Sequence, residues 1–251
     1  MKSVLIVGIG NIGSRLYKEY AKLKPDRYDP SKGIDEKKDI HYDFAFIAVD
    51  TPMRADGSCD LSQVETALKE TDAEIYVLRS TVPPETTKNL RVSTAKRIVF
   101  CPEFYGTTQH CDETTFDFDF TILGGLKLDC NPVIQLLQEV YDARHRFRIT
   151  TSTTAELTKY MENCMLATKV SFCVQFWELA KQFDVNYPEM RELLLEDKRF
   201  SRAHTFVYDE HPYWESHCLD KDLRAITHVA DAPFINEVIT YNEICKNRYS
   251  I

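Results

Sequence analysis

The sequence predicts an α/β protein: a Rossmann-like parallel-sheet domain over residues 1–150, then a helical domain over 151–251 with one long central helix. Three observations predict it. Short apolar runs alternate with helical patterns through the first 150 residues, the arrangement of a parallel sheet with helices on both faces. The first apolar run, Val4-Leu5-Ile6-Val7, leads straight into the glycine turn Gly8-Ile9-Gly10-Asn11-Ile12-Gly13. From Thr153 to about Phe183 the alternation gives way to one unbroken helical period.

Strands are expected at Val4–Val7, at a short segment ending near Asp29, and at Phe44–Val49, Glu74–Leu78, Ile98–Phe100 and Phe120–Leu123. Helices are expected at Ile12–Leu23 and Ser62–Glu70. Thr153 and Glu156 have the spacing of a capping box at the start of the long helix. A helix of that length spans about 45 Å at 1.5 Å per residue, more than a small domain needs, so it is expected to connect two parts or to form an oligomer interface. Its apolar residues Leu157, Met161, Cys164, Met165, Thr168 and Phe172 recur at helical spacing. Shorter helices follow at Pro188–Glu196, Lys221–Ala230 and Ala232–Lys246. The polar, aromatic segment Arg199–His217 reads as a loop.

Composition narrows the function classes. The 251 residues are 43% hydrophobic and 28% charged, an ordinary globular balance. Thirty-one basic against 39 acidic residues give a net charge of −8, with no basic patch, so nucleic acid and anionic membrane are not expected partners. Neither a signal peptide nor a membrane span is expected. The eight cysteines show no CxxC spacing, so neither a metal site nor a disulfide scaffold is expected, and the reading is cytoplasmic.

The glycine turn follows a buried strand and opens a helix. Gly8 permits the tight turn, Gly10 lets the backbone approach a pyrophosphate, and Gly13 lets helix and strand pack. The N–H groups at the helix start, around Asn11 and Ile12, face the phosphates. Asp29 lies 21 residues after Gly8, where a carboxylate accepts from ribose hydroxyls and repels a 2′-phosphate. NAD is therefore favoured over NADP, a preference that Lys32 and Arg27 weaken slightly. The other reading of Asp29 is a turn residue before Pro30.

Lys159 and Asn163 share one helix face, and Cys218 stands where a polar loop meets a helix, beside Lys221. A thiol so placed has a lowered pKa. The plain alternatives are a solvated surface lysine and a small packing cysteine. Several further segments run in order: Val49-Asp50-Thr51-Pro52 into Asp56–Ser62, Ser80-Thr81-Val82-Pro83-Pro84, Pro102-Glu103-Phe104, Ala155–Asn163 and Cys218–Asp222. With Gly8–Gly13 they make the chain resemble the UDP-glucose/GDP-mannose dehydrogenase family over most of its length. That family oxidises the C6 alcohol of a nucleotide sugar twice, to a carboxylate, with two NAD. The resemblance implies that Cys218 is the nucleophile, that Lys159 and Asn163 stabilise an oxyanion, and that Asp222 and Thr81 position and deprotonate water. It further implies that Glu103 assists thioester hydrolysis, that Thr51 and Thr81 line the nicotinamide, and that the long helix, 153–183, makes a homodimer.

The sequence departs from the family pattern in three places. The family's second α/β domain, which follows the central region, is not expected before Ile251. The loop before the cysteine, His211-Pro212-Tyr213-Trp214-Glu215-Ser216-His217, has no glycine, and Tyr213 and Trp214 either stack on a ligand ring or pack. A second glutamate, common four residues after the one matching Glu103, is Thr107 here. The leading expectation is thus an NAD-dependent oxidation of a primary alcohol, on a nucleotide sugar or a smaller substrate, to a carboxylate through a cysteine thioester. The alternatives are a two-electron hydroxy-acid or alcohol dehydrogenase and a non-catalytic NAD-binding module.

Overall fold

The structure is a computed structural model, and it describes residues 2–104 and 119–250. Thr107 lies outside the described residues. The chain divides into two compact units, and the division falls within a helix, between Lys159 and Tyr160.

Among the described residues the first unit has a sheet of eight strands: β1 (Val4–Val7), β2 (Asp26–Asp29), β3 (Ile34–Asp35), β4 (Tyr42–Ile47), β5 (Ala73–Leu78), β6 (Ile98–Phe100), β7 (Phe120–Gly124) and β8 (Arg146–Thr150). Their order is β3-β2-β1-β4-β5-β6-β7-β8. Pairing is parallel except for β2–β3 and β6–β7. Four helices accompany them: α1 (Asn11–Glu19), α2 (Ser62–Glu70), α3 (Thr86–Thr94) and α4 (Lys127–Leu137). Strand order reverses between β1 and β4, so the turn after β1 lies at the topological switch point where ligands of such sheets bind.

β1 shows why a short apolar run belongs in the middle of this sheet. All four residues are buried, Val4 and Ile6 in one core cluster with Leu16 and Tyr20, Leu5 and Val7 in another with Val64, Ala67 and Leu68. A strand covered on both faces needs apolar side chains at every position. The expected helix Ile12–Leu23 is shorter: α1 stops at Glu19, and Ala21–Leu23 is a single 3-10 turn.

The long helix, α5, runs Ser152–Gln182. The expected capping box is not formed. The helix starts one residue earlier, Thr151 Oγ1 accepts from the Thr154 N–H at 3.1 Å, and Glu156 is used elsewhere. The second unit adds α6 (Tyr187–Leu195), α7 (His217–Val229) and α8 (Pro233–Tyr249). Its core gathers Cys173, Trp177, Ala180 and Tyr187 with Met190, Val207 and Tyr249. α7 begins a turn before the expected Lys221 because Ser216 caps it, accepting from the Leu219 N–H at 3.0 Å. No helix among the described residues is long and apolar enough to cross a membrane.

Candidate active site

The glycine turn is dictated by space at two of its three glycines. Gly8 holds φ +84, and a Cβ there would lie 2.7 Å from the Ala48 carbonyl oxygen. A Cβ on Gly13 would lie 1.8 Å from the Gly8 carbonyl oxygen. At Gly10 the same atom would meet nothing within 4 Å, so no protein neighbour demands glycine there. No side chain caps the start of α1, and no acidic residue occupies its first turn. Open space before Gly10 and uncapped N–H groups at Asn11, Ile12 and Gly13 fit the pyrophosphate of a dinucleotide.

Asp29 closes β2 beside this turn and is buried. Its carboxylate accepts from the Ile9 N–H at 2.8 Å and from the Ser31 hydroxyl at 2.6 Å. Burial pushes the carboxyl up, but the bonds from Ser31 and Ile9 and the charge of Lys32 outweigh it and hold it below its usual range. Lys32 donates to the Ile9 carbonyl at 2.7 Å. Asp29 and Lys32 therefore grip Ile9, the residue between the first two glycines, through its N–H and its carbonyl.

The loops after β4 and β5 are tied together at their C-terminal ends. Thr51 is buried and donates to the Thr81 carbonyl at 2.8 Å, and Ser80 donates to the Val49 carbonyl at 2.6 Å. The loop after β6 carries Glu103. Lys159 Nζ lies 3.7 Å from Glu103 Oε1, both side chains nearly buried, and 5.3 Å from the centre of the Phe104 ring.

In the second unit Asn163 donates to Asp222 Oδ2 at 2.5 Å, and Lys221 donates to Asp222 Oδ1 at 2.5 Å. The Asp222 carboxylate is thus held on both oxygens while 1% exposed. The sequence sets Lys221 beside Cys218; in the structure its ammonium is bonded to Asp222. Cys218 is exposed in the first turn of α7. Lysine is among the residues least often buried and cysteine among the most; Lys159, 5% exposed, and Cys218 reverse both habits.

The first half of α5 buries polar residues alongside the apolar Ala155, Tyr160, Cys164 and Ala167. Glu156, Lys159 and Asn163, at i, i+3 and i+7, are buried, whereas Leu157, Met161, Met165 and Phe172 are 49 to 66% exposed. Of the expected apolar stripe only Cys164 is buried together with the polar face. Trp214 packs: it is buried, its indole N–H donates to Ser171 at 2.9 Å, and its backbone is bonded to Asn242. Tyr213 is half-buried against His211. Glu156 is the site residue that local reading misassigns; its place on the Lys159–Asn163 face was the available signal.

Two family models match. The NAD binding domain of the UDP-glucose/GDP-mannose dehydrogenase family matches residues 15–145, and the central domain of the same family matches residues 153–244. The chain is 30% identical over 203 residues to a UDP-glucose 6-dehydrogenase of Pseudomonas aeruginosa, covering 74% of this chain and 44% of that one. It is 27% identical over 231 residues to a GDP-mannose 6-dehydrogenase of Pseudomonas putida, covering 80% of this chain and 50% of that one. The chain spans about half the length of the curated relatives it matches. In fold it is similar to a UDP-glucose dehydrogenase from Pyrobaculum islandicum, with a TM-score of 0.79 at 23% identity over 97% of this chain and 68% of that one. It is also similar in fold to a 3-hydroxyisobutyrate dehydrogenase of Mycobacterium tuberculosis, with a TM-score of 0.70 at 13% identity over 99% and 95% of the two chains. The cofactor of the matched domain is NAD, and the chain belongs to the UDP-glucose/GDP-mannose dehydrogenase family.

Proposed function

We propose that this chain is an NAD-dependent dehydrogenase that takes a primary alcohol, on a nucleotide sugar or a related smaller substrate, to the carboxylate through a thioester on Cys218. One observation carries the reading: the buried polar stripe of α5. Burying a glutamate, a lysine and an asparagine opposes folding unless their bonds are used, and two of the three are the residues to which the family pattern gives the oxyanion. The names of the relatives, UDP-glucose and GDP-mannose 6-dehydrogenases, support the substrate class.

Residues 1–150 are the cofactor domain in this reading, with Gly8, Gly10, Asn11, Ile12, Gly13, Asp29, Lys32, Thr51 and Thr81 on NAD. Residues 151–251 are the central domain. NAD supplies the hydride acceptor in both oxidations. In the first, the alcohol proton passes through water to Asp222 and the substrate becomes an aldehyde. The Cys218 thiolate then forms a C–S bond to the aldehyde carbon, and its oxygen becomes an alkoxide stabilised by Lys159 and Asn163. Loss of a second hydride leaves a thioester. Water, positioned and deprotonated at Asp222 and Thr81 once Asp222 has released its first proton to solvent, attacks the carbonyl with Glu103 assisting; the C–S bond breaks and the thiolate returns. The covalent step keeps the reactive aldehyde on the protein.

The exposed stripe Leu157, Met161, Met165 and Phe172 supports a homodimer formed through α5, since an apolar face of that extent calls for burial. None of the seven described cysteines is in a disulfide, which supports a cytoplasmic setting.

The test is to follow NADH with a panel of alcohols and nucleotide sugars. The expected result is two NADH per product, with Cys218→Ser stopping after the first oxidation. Complete turnover by that variant rejects the covalent route. One NADH per product assigns a two-electron dehydrogenase, and NAD binding with no reduction on any substrate assigns a non-catalytic module.

A further inference from the structure

Glu156 is fully buried in the first turns of α5, and both its carboxylate oxygens serve another element. Oε2 accepts from the Glu85 N–H and Oε1 from the Thr87 N–H, each at 2.8 Å. These are donors at the start of α3, where a helix leaves its first N–H groups without partners. The N–H between them, that of Thr86, donates to the Pro83 carbonyl at 3.2 Å. Glu85 itself sits at φ +73, an unfavourable backbone for a residue with a side chain. Its carboxylate is bonded to Thr153, also on α5, and to Lys88.

The segment 80–87 is therefore pinned at both ends. At one end Ser80 and Thr81 are bonded to Val49 and Thr51. At the other, Glu156 and Thr153 hold residues 85 and 87. The anchor stands three residues before Lys159 on the same helix. A local Ser, Asn or Asp satisfies a helix start more simply. Burial pushes the Glu156 carboxyl up, and the bonds from Thr87 and Glu85 only partly pull it back, so folding alone does not favour its charged form.

We propose that Glu156 is a positioning residue: it fixes the segment bearing Thr81 relative to Lys159 and so sets the nicotinamide end of the cofactor site, leaving the adenosine end to the glycine turn and Asp29. The inference rests on the reading above in which Thr51 and Thr81 line the nicotinamide.

The test compares NAD with ADP-ribose, which carries the adenosine and pyrophosphate but no nicotinamide. Dissociation constants are measured by calorimetry for the full chain and for Glu156→Gln. That change keeps the shape but turns an amide N–H toward one of the two donors. NAD is expected to bind about tenfold more weakly, the scale of one lost charge-assisted hydrogen bond. ADP-ribose should stay within about twofold, well under the effect of such a bond. In a Thr81→Ala background, Glu156→Gln should cost no further NAD affinity, because coupled residues are not additive. Should Glu156→Gln fold poorly, Glu156→Asp, too short to reach both N–H groups, is expected to give the same divergence. Equal weakening of both ligands, no change in either, or unfolding of both variants overturns the proposal and leaves Glu156 a purely structural residue. Absence of NADH formation by the unaltered chain defeats the catalytic reading instead, and leaves the divergence between the two ligands intact.

Discussion

The glycine turn at residues 8–13 and the loop before Cys218 both precede a helix, and they solve opposite problems. In the turn, side chains are removed so that backbone N–H groups are uncovered: Gly8 and Gly13 are forced by contacts with the protein, and Gly10 faces open space. In the loop Arg199–His217, which has no glycine, side chains hold the backbone. Lys169 donates to the carbonyls of Ser201 and Ala203 at 2.6 and 2.5 Å, Tyr187 to that of Thr205 at 2.8 Å, and Asn242 to that of Trp214 at 2.9 Å. Backbone N–H groups are left uncovered in the first region, and backbone carbonyls are covered by side chains in the second. The loop is a different construction from the turn, its carbonyls covered by side chains from α5, α6 and α8.

The comparison can be broken at several points. The largest effect is expected for Gly13→Ala, whose Cβ would collide with backbone that cannot move aside; chemical denaturation should register a loss above about 4 kcal/mol or no fold at all. Trp214→Ala comes next. Removing a buried tryptophan with both its indole and its backbone engaged should cost about 3–5 kcal/mol in the same measurement, and a loss under about 1 kcal/mol would mean that the loop stands without it. Gly10→Ala should leave stability within about 0.5 kcal/mol, as no atom opposes it, yet weaken NAD at least about tenfold in a binding titration. If Gly10→Ala binds NAD normally, that open space is not the pyrophosphate cradle.

The smallest effect is one of pH. Asp29 is held below its ordinary value, so its contribution to stability is present above the unfolded carboxyl's pKa. It fades as the pH falls through the lower folded value. Asp29→Asn should therefore lower stability at neutral pH and flatten the acid limb of the stability curve, read as melting temperature against pH. An unchanged acid limb would leave the Asp29–Ile9 bond without energetic weight.

What could be read from the sequence was what is local. The run Val4–Val7 and the spacing of three glycines are complete within ten residues, and α5 announces itself through thirty. The elements that escaped reading are poor in local signal. β8, Arg-Phe-Arg-Ile-Thr, is an exposed edge strand with charged residues where a buried strand would be apolar. α3 is largely polar, and α4 contains Pro132. Among site residues, Lys159 and Asn163 share a face by simple periodicity, but the partner of each comes from far along the chain, Glu103 and Asp222. Glu156 misled for the same reason. Its spacing from Thr153 imitates a local cap, while its real partners are 69 and 71 residues away. Spacing finds the face of a helix, and only the packed fold supplies what that face touches.

The exposure of Cys218 has a practical side. Of the seven described cysteines, five are buried and Cys59 is half-covered, which leaves Cys218 the one exposed thiol among them. A maleimide fluorophore added to the folded chain would settle there before reaching the rest, with Cys111 replaced by serine as a precaution. The protein thus carries its own attachment point at the first turn of α7, from which the arrival of a ligand can be watched as a change in colour or polarisation before anyone knows what that ligand is.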